Sequence, residues 1–184
     1  MGYIYLYTGT GGGKTTNALG LALRTVGHRR TAVIIQFLKW RQDIGEYQIR
    51  EMLAPYYEIY QFGRPVWLGR ESRVEEYLGE KFSLSKISEV DKELAEKALN
   101  FAYKILEEKK PHLLVLDEIN LAAHWNLLSV KEIIAFLDAA PDETTVVLTG
   151  RYAPKELIDR ADFVNEIKEV KMPKSFTLTK GIQY

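Results

Sequence analysis

The sequence contains no cysteine, and its 25 Lys and Arg residues are balanced by 25 Asp and Glu residues. Without cysteine the chain forms no disulfide, thiolate nucleophile or cysteine-ligated zinc site, which is typical of a reducing compartment. A net charge of zero provides no global field that attracts nucleic acid or an acidic membrane surface. No segment reaches the roughly 18 consecutive apolar residues of a membrane span, and no basic region precedes the apolar N-terminus as in a signal peptide. We therefore expect a cytoplasmic protein that partners neither nucleic acid nor a membrane.

The length and the hydrophobic pattern indicate one α/β domain, residues 1–184. Short apolar runs alternate with amphipathic segments, which predicts a mainly parallel sheet with helices on both faces. The predicted strands are 3–7, 31–37, 57–62, 112–116, 144–148 and 163–170, and the clearest predicted helices are 14–26, 91–109 and 130–137. The segment 63–88 is rich in Gly and charge and has no clear pattern, so we expect an irregular loop that is either functional or disordered.

A glycine-rich loop lies between the first predicted strand and the first predicted helix. Its residues are Thr8, Gly9, Thr10, Gly11, Gly12, Gly13, Lys14, Thr15 and Thr16. Glycines let successive backbone N–H groups turn toward phosphate oxygens, and a helix N-terminus adds further donors. Lys14 supplies a positive charge to the phosphates, and the Thr15 hydroxyl can ligate Mg²⁺. The loop predicts ATP binding and a P-loop NTPase-like (RecA-type) fold.

This loop is one residue shorter than the common phosphate-binding loop, because Gly9 and Gly13 bracket only three residues and Thr8 takes the place of the usual first glycine. The shorter loop changes where each N–H points, so ordinary chemistry at the γ-phosphate does not follow from the motif alone.

Two carboxylates, Asp117 and Glu118, follow the apolar strand predicted at 112–116. An acid in this position completes the metal site beside the loop Thr in P-loop proteins. We predict that Glu118 faces the metal and that Asp117 is its neighbour or contacts it through water.

Taken together, several segments resemble the family of P-loop ATP:corrinoid adenosyltransferases, and the resemblance covers nearly the whole chain. The segments that carry it are the shortened loop, Ala18-Leu19-Gly20, Arg24-Thr25-Val26-Gly27-His28, Ile34-Ile35-Gln36-Phe37-Leu38-Lys39, Gly45-Glu46, Val115-Leu116-Asp117-Glu118-Ile119, Leu148-Thr149-Gly150-Arg151, Glu156-Leu157-Ile158, Ala161-Asp162 and Gly181-Ile182-Gln183-Tyr184.

The resemblance implies transfer of the 5′-deoxyadenosyl group of ATP to the cobalt of a reduced corrinoid, with release of triphosphate. Such an enzyme needs no protein nucleophile, because Co(I) attacks carbon itself. Lys14, the loop amides, Arg151 and Mg²⁺ on Thr15 and Glu118 are then expected to stabilise the departing triphosphate. Gln36 and Lys39 are expected to contact the nucleotide or the corrinoid edge. The family also suggests a homodimer and a reduced flavoprotein as electron donor.

In this family, apolar and aromatic side chains shield the cobalt from ligands, and Trp67 matches a family tryptophan in the loop that carries them. The alternative interpretation of Trp67, an ordinary core or cap tryptophan that buries area, stays open. Pro65 stands near the position of a family phenylalanine, Met172-Pro173 replaces a histidine-containing stretch, and the C-terminal tail is slightly shorter. These departures concern the corrinoid site more than the ATP site.

Two other interpretations stay open at this point. A P-loop kinase or ATPase would cleave ATP at phosphorus and produce ADP. A nucleotide-regulated binding module would bind ATP with little turnover. Release of triphosphate that depends on reduced corrinoid separates the transferase from both.

Overall fold

The structure, a computed structural model, describes residues 2–69, 73–77, 80–173 and 179–182. The described strands are β1 (Ile4–Thr8), β2 (Ala32–Phe37), β3 (Tyr57–Phe62), β4 (Trp67–Gly69), β5 (Arg73–Tyr77), β6 (Glu80–Lys86), β7 (Leu113–Asp117), β8 (Thr145–Thr149) and β9 (Phe163–Glu166). The described helices are α1 (Lys14–Gly27), α2 (Gly45–Gln48), α3 (Arg50–Leu53), α4 (Glu89–Glu108), α5 (Ile119–His124), α6 (Val130–Asp138) and α7 (Lys155–Arg160).

Six strands form the central sheet in the order β3-β2-β7-β8-β1-β9, and all neighbouring strands are parallel. β8 lies between β1, which leads into the glycine-rich loop, and β7, which ends at the acidic pair. Because the strands are parallel, their carboxyl ends meet at one edge of the sheet, where ligands of open α/β sheets bind. This order confirms the predicted P-loop NTPase-like α/β fold.

Helices cover both faces of this sheet, as predicted. On one face Ala18 and Ala22 of α1 pack on Ile34, Val115 and Val147. The opposite face holds the larger core, to which α4, α5, α6 and α7 all contribute buried side chains. The central strands are therefore buried on both sides, which explains their near-continuous apolar sequences. In the part of the chain that the structure describes, no helix is long and apolar enough to cross a membrane.

The prediction that 63–88 is an irregular loop was wrong. β4, β5 and β6 form a second, three-stranded sheet in the order β4-β6-β5, with β5 and β6 antiparallel. The sequence 82–86 alternates Phe, Ser, Leu, Ser and Lys, a period-two strand pattern that the surrounding glycines and charges obscured. Gly79, which suggested the loop, lies outside the described residues.

Two of the predicted elements also have a boundary that differs from the prediction by more than one residue. α4 begins at Glu89 because Ser88 is its N-cap and forms a capping box with Asp91. β9 ends at Glu166 rather than at residue 170, because the chain then turns along the glycine-rich loop. There Ile167 accepts a hydrogen bond from the Gly11 backbone N–H, at 2.9 Å.

Candidate active site

The glycine-rich loop (residues 8–16, the phosphate loop) connects the carboxyl end of β1 to the N-terminus of α1, as predicted. Its conformation requires glycine at position 9, which has φ of 101° and whose Cβ, if present, would lie 2.3 Å from the Ile167 carbonyl oxygen. The segment after β9 therefore supports the loop from behind, through backbone contacts. Gly12 has open space around it, so this part of the loop is free to approach a phosphate closely.

Lys14, the first residue of α1, is buried, with 7% of its surface exposed. Its Nζ donates a hydrogen bond to the Gly11 carbonyl oxygen at 2.7 Å, which folds the side chain back over the loop. Burial, and then the positive charge of Arg151, lower the pKa of Lys14, while Glu118 and Asp117 oppose the shift. Because little water surrounds it, this cation attracts a polyanionic ligand more strongly than an exposed lysine would.

Asp117, at the end of β7, is completely buried and is the centre of a polar cluster. Its Oδ1 accepts hydrogen bonds from the hydroxyls of Thr15 at 2.8 Å and Thr149 at 2.6 Å. Its Oδ2 accepts from Gln36 Nε2 at 3.1 Å and lies 2.7 Å from Lys39 Nζ. Burial opposes ionisation, but Lys39 and these hydrogen bonds hold the pKa of Asp117 below its usual range. The side chain is therefore an ionised carboxylate at neutral pH.

Glu118, the next residue, adopts a left-handed backbone conformation with φ of 65° at the start of α5, and its N–H donates to Thr149 Oγ1 at 3.0 Å. Its Oε2 is buried and has no hydrogen-bond partner among the residues that the structure describes. Burial, and then the neighbouring Asp117, raise the pKa of Glu118, while Lys39, Lys14 and Arg151 oppose the shift. A cation bound here would pair with this buried oxygen and offset the repulsion between the two neighbouring carboxyl groups.

Thr15, Asp117 and Glu118 together offer only oxygen donors, which is the ligand chemistry that Mg²⁺ prefers. Mg²⁺ is usually bound by one or two carboxylates together with substrate phosphates, and this set of side chains fits such a site. In the described part of the chain, no three acids or histidines form a group that could hold a metal by themselves. The structure places Asp117 rather than Glu118 against Thr15. Which carboxylate faces the metal stays a prediction.

Gln36 and Lys39, both predicted to contact ligand, lie at the end of β2 in this cluster. Gln36 is completely buried, and it is held on its other side by Gln61, whose Nε2 donates to Gln36 Oε1 at 2.8 Å. A close backbone approach fixes the turn that carries Lys39: a Cβ on Gly63 would lie 2.6 Å from the Leu38 carbonyl carbon.

Beyond Lys39 the surface forms a cavity of about 240 Å³, which we call the aromatic pocket. Its lining residues are Leu38, Lys39, Trp40, Arg41, Ile44, Glu46, Val66, Trp67 and Leu68. The rings of Trp40 and Trp67 meet edge to face, with 6.3 Å between their centroids, and Trp40 Nε1 donates to the Val66 carbonyl oxygen at 3.2 Å. Trp67 remains 45% exposed, so it is a surface residue of this pocket and not a core tryptophan.

The sequence analysis did not identify Trp40, Thr149, Gln61 or Asn120 as parts of the site. Thr149 had a signal, because it directly follows the strand predicted at 144–148, and the carboxyl ends of parallel strands meet at one edge of a sheet. Asn120 donates to the Tyr7 and Gly150 carbonyl oxygens, each at 3.3 Å, and so ties α5 to two strand ends. Arg151 follows β8 at this edge, as predicted, and its side chain is exposed.

A phosphate loop on β1, an acid on β7 and one strand between them define a P-loop nucleotide-binding protein. The more specific assignment comes from comparison with known proteins: the model of the family described as ATP:corrinoid adenosyltransferase BtuR/CobO/CobP matches residues 1–184. The chain belongs to this family.

Individual relatives agree with the family assignment. A corrinoid adenosyltransferase of Sinorhizobium sp. is 33% identical over 175 residues, which cover 94% of this chain and 74% of the relative. The corrinoid adenosyltransferase CobA of Salmonella typhimurium is 31% identical over 171 residues, which cover 92% of this chain and 78% of the relative. A corrinoid adenosyltransferase of Escherichia coli is 29% identical over the same length and shares.

Proposed function

We propose that this protein transfers the 5′-deoxyadenosyl group of ATP to the cobalt of a reduced corrinoid and releases triphosphate, in the synthesis or salvage of adenosylcobalamin. The observation that carries the proposal is that a phosphate loop and an aromatic pocket lie on either side of Lys39, at one edge of the sheet. A phosphoryl-transfer enzyme needs the first of these features, whereas alkylation of a large, flat, apolar corrinoid needs both.

The phosphate loop and its basic neighbours bind the leaving group. Because the attacked atom is the ribose 5′ carbon, negative charge develops on the whole triphosphate, and fixed donors aimed at it lower the barrier. Lys14 is buried and preoriented, and Arg151 offers an exposed, permanent cation whose charge acts on Lys14. Thr15, Asp117 and Glu118 would hold Mg²⁺, which when bound neutralises part of the triphosphate charge.

The aromatic pocket binds the corrinoid face. Trp40 and Trp67 present apolar surface beside Val66, and such surface excludes water and competing ligands from the cobalt. Pro65 in place of an aromatic residue leaves one ring fewer on the β3–β4 connection, and Trp40, from the β2–α2 connection, supplies a second ring. We therefore assign Trp40 and Trp67 together to the corrinoid wall.

Three further features belong to the proposal. A homodimer is supported by the exposed apolar side chains Leu23, Ile49 and Met52 on α1 and around α2 and α3, and sedimentation of the purified chain tests it. The electron for cobalt reduction comes from a reduced flavoprotein, as the family resemblance implies. A cytoplasmic location is supported by the absence of cysteine.

The experiment mixes the purified protein anaerobically with Mg-ATP and chemically reduced cobalamin and follows corrinoid absorbance together with phosphate products. We expect loss of the Co(I) spectrum, a light-sensitive alkylcobalamin and stoichiometric triphosphate. Accumulation of ADP with unchanged corrinoid, tested with both cobalamin and cobinamide, would refute the proposal.

Two variants locate the activity. Lys14→Ala should abolish it, whereas Trp67→Ala should lower the rate with corrinoid and leave ATP binding intact. Tyr103→Ala removes an exposed aromatic residue of α4 and is the matched control, with no expected effect on the rate.

A further inference from the structure

Lys39 contacts both of the side chains, Thr15 and Asp117, whose oxygen atoms P-loop enzymes direct at a divalent cation. Its Nζ lies 2.7 Å from Asp117 Oδ2 and 3.3 Å from Thr15 Oγ1. The same two side chains contact each other, because Thr15 Oγ1 donates to Asp117 Oδ1 at 2.8 Å. The ammonium group thus forms a short ion pair with Asp117 and a longer hydrogen bond with Thr15.

The ion pair with Lys39 compensates the buried negative charge of Asp117. The carboxylate is completely buried, and a buried charge without a counterion is strongly unfavourable. Three of its partners, Thr15, Gln36 and Thr149, are neutral. Within the described residues, Lys39 is the cation that contacts Asp117 directly.

An ammonium group and a divalent cation cannot share this position. A magnesium ion binds oxygen at roughly 2.0–2.1 Å, so an ion on Thr15 and Asp117 would lie within a few ångströms of Nζ and repel it. The Lys39 side chain is 27% exposed and also borders a cavity of about 440 Å³ together with Thr15 and Glu46. It therefore has both a flexible stem and space into which it can withdraw.

We propose that Lys39 is a stand-in cation: it neutralises Asp117 and holds Thr15 in place while the metal site is empty, and it leaves when the divalent cation arrives with ATP. The inference rests on the proposed metal site on Thr15 and Asp117. Its consequence is that the nucleotide-free enzyme binds divalent cations weakly, because each ion must first displace Lys39. Withdrawal of Lys39 also releases a positive charge at the border between the phosphate loop and the aromatic pocket.

The test is a titration of the full chain with Mn²⁺ in the absence of nucleotide, with free Mn²⁺ measured by electron paramagnetic resonance. We expect Lys39→Met to bind Mn²⁺ about tenfold more tightly than the wild type, since the site loses one positive charge. Lys39→Arg keeps the charge and should not bind more tightly than the wild type. Lys131→Met, at an exposed lysine of α6, is the matched control and should be unchanged.

A second measurement keeps the test informative if Lys39→Met is unstable. Without metal its unfolding temperature should be below that of the wild type, and saturating Mn²⁺ should raise it by more than in the wild type. Equal or weaker Mn²⁺ binding by Lys39→Met, or an equal thermal shift, overturns the proposal.

Asp117→Asn separates this inference from the metal site and the activity. It should abolish the tight Mn²⁺ binding when combined with Lys39→Met, and binding that survives in the double variant would place the ion elsewhere and overturn the proposal. Corrinoid turnover by the wild type is scored independently, so tighter Mn²⁺ binding by Lys39→Met supports the stand-in role whether or not adenosyl transfer is observed.

Discussion

Replacing Asp91 should destabilise the protein and also disturb the aromatic pocket. Asp91, in the first turn of α4, is 1% exposed and accepts a forked pair of hydrogen bonds from Arg64, at 2.7 Å from Nε and 2.9 Å from Nη2. Its Oδ2 also accepts from the Ser88 backbone N–H at 2.9 Å, completing the capping box. Arg64 in turn donates to the Lys86 carbonyl oxygen, so one carboxylate joins the start of α4, the end of β6 and the connection that leads to Trp67.

The expected magnitude follows from these contacts. Asp91→Asn loses the carboxylate of the capping box, worth about 1 kcal/mol, and the charge-assisted pair with Arg64, worth about 1.5–3 kcal/mol when buried. Arg64 is 25% exposed, so the second contribution belongs toward its lower end. We expect the free energy of unfolding to fall by about 2–3 kcal/mol at neutral pH.

The effect should depend on pH in a defined direction. Burial opposes ionisation, but Arg64 and Ser88 hold the pKa of Asp91 below its usual value. A group with a depressed folded pKa stabilises the protein above its unfolded pKa, and this contribution is lost as the pH falls through the folded value. The difference between wild type and Asp91→Asn should therefore be full near neutrality and shrink in acid, below about pH 4.

Urea denaturation at several pH values measures this difference, and corrinoid and ATP affinities of the folded variants show where the disturbance reaches. We expect weaker corrinoid binding and unchanged ATP binding, because Asp91 supports the Trp67 side. Asp159→Asn, which removes an exposed pairing with Lys155, is the control and should have no measurable effect. A change below about 0.5 kcal/mol, or a difference that grows in acid, would refute the reasoning.

Three further substitutions test the core, the acidic cluster and the turn before Lys39. Phe136→Ala removes a completely buried ring and should cost about 3–5 kcal/mol in urea denaturation with unchanged ATP affinity; a cost under about 1 kcal/mol would contradict the core assignment. Thr149→Val removes the hydroxyl that donates to Asp117 at 2.6 Å and should lower stability by about 1–3 kcal/mol and weaken Mn²⁺ binding; unaltered Mn²⁺ binding would show that this hydroxyl does not orient the carboxylate. Gly63→Ala forces a Cβ to within 2.6 Å of the Leu38 carbonyl carbon and should cost about 1–3 kcal/mol by thermal or urea unfolding; a neutral result would mean that the turn is free to shift.

The sheet and the phosphate loop were predictable because local sequence dictates them. Strands buried on both faces must be apolar along their whole length, so β2 and β7 stand out as short continuous runs. The phosphate loop is recognisable because glycine, a following lysine and a helix start are needed together. Both signals depend on neighbours within about ten residues, which a single sequence displays directly.

The internal contacts of the site were not predictable, because they depend on pairing between distant strands. Gln36 lies opposite Asp117 in the register of β2 and β7, and this pairing brings Lys39, three residues later, to the acidic cluster. The sequence showed that Lys39 follows a strand, but not which carboxylate it meets. Trp40 was missed for the same reason: its partners Val66 and Trp67 belong to the end of the β3–β4 connection and the start of β4, which are distant in sequence.

The phosphate loop with its acidic cluster and the aromatic pocket are built on different parts of the fold. We therefore expect different mutations to affect each of them. The phosphate loop and the acidic cluster are built on the ends of β1, β7 and β8, and buried strands hold the backbone there. The aromatic pocket is built from the two connections that leave β2 and β3, held together by the close approach of Gly63 to Leu38 and by the hydrogen bond from Trp40 to Val66. Changes such as Trp40→Phe or Val66→Ala should therefore alter the aromatic pocket without moving the phosphate loop. Under the proposed function, preference among corrinoids depends on these two connections, whereas the chemistry at ATP does not. A set of pocket variants assayed with cobalamin and cobinamide should therefore change the ratio of the two rates at a constant KM for ATP.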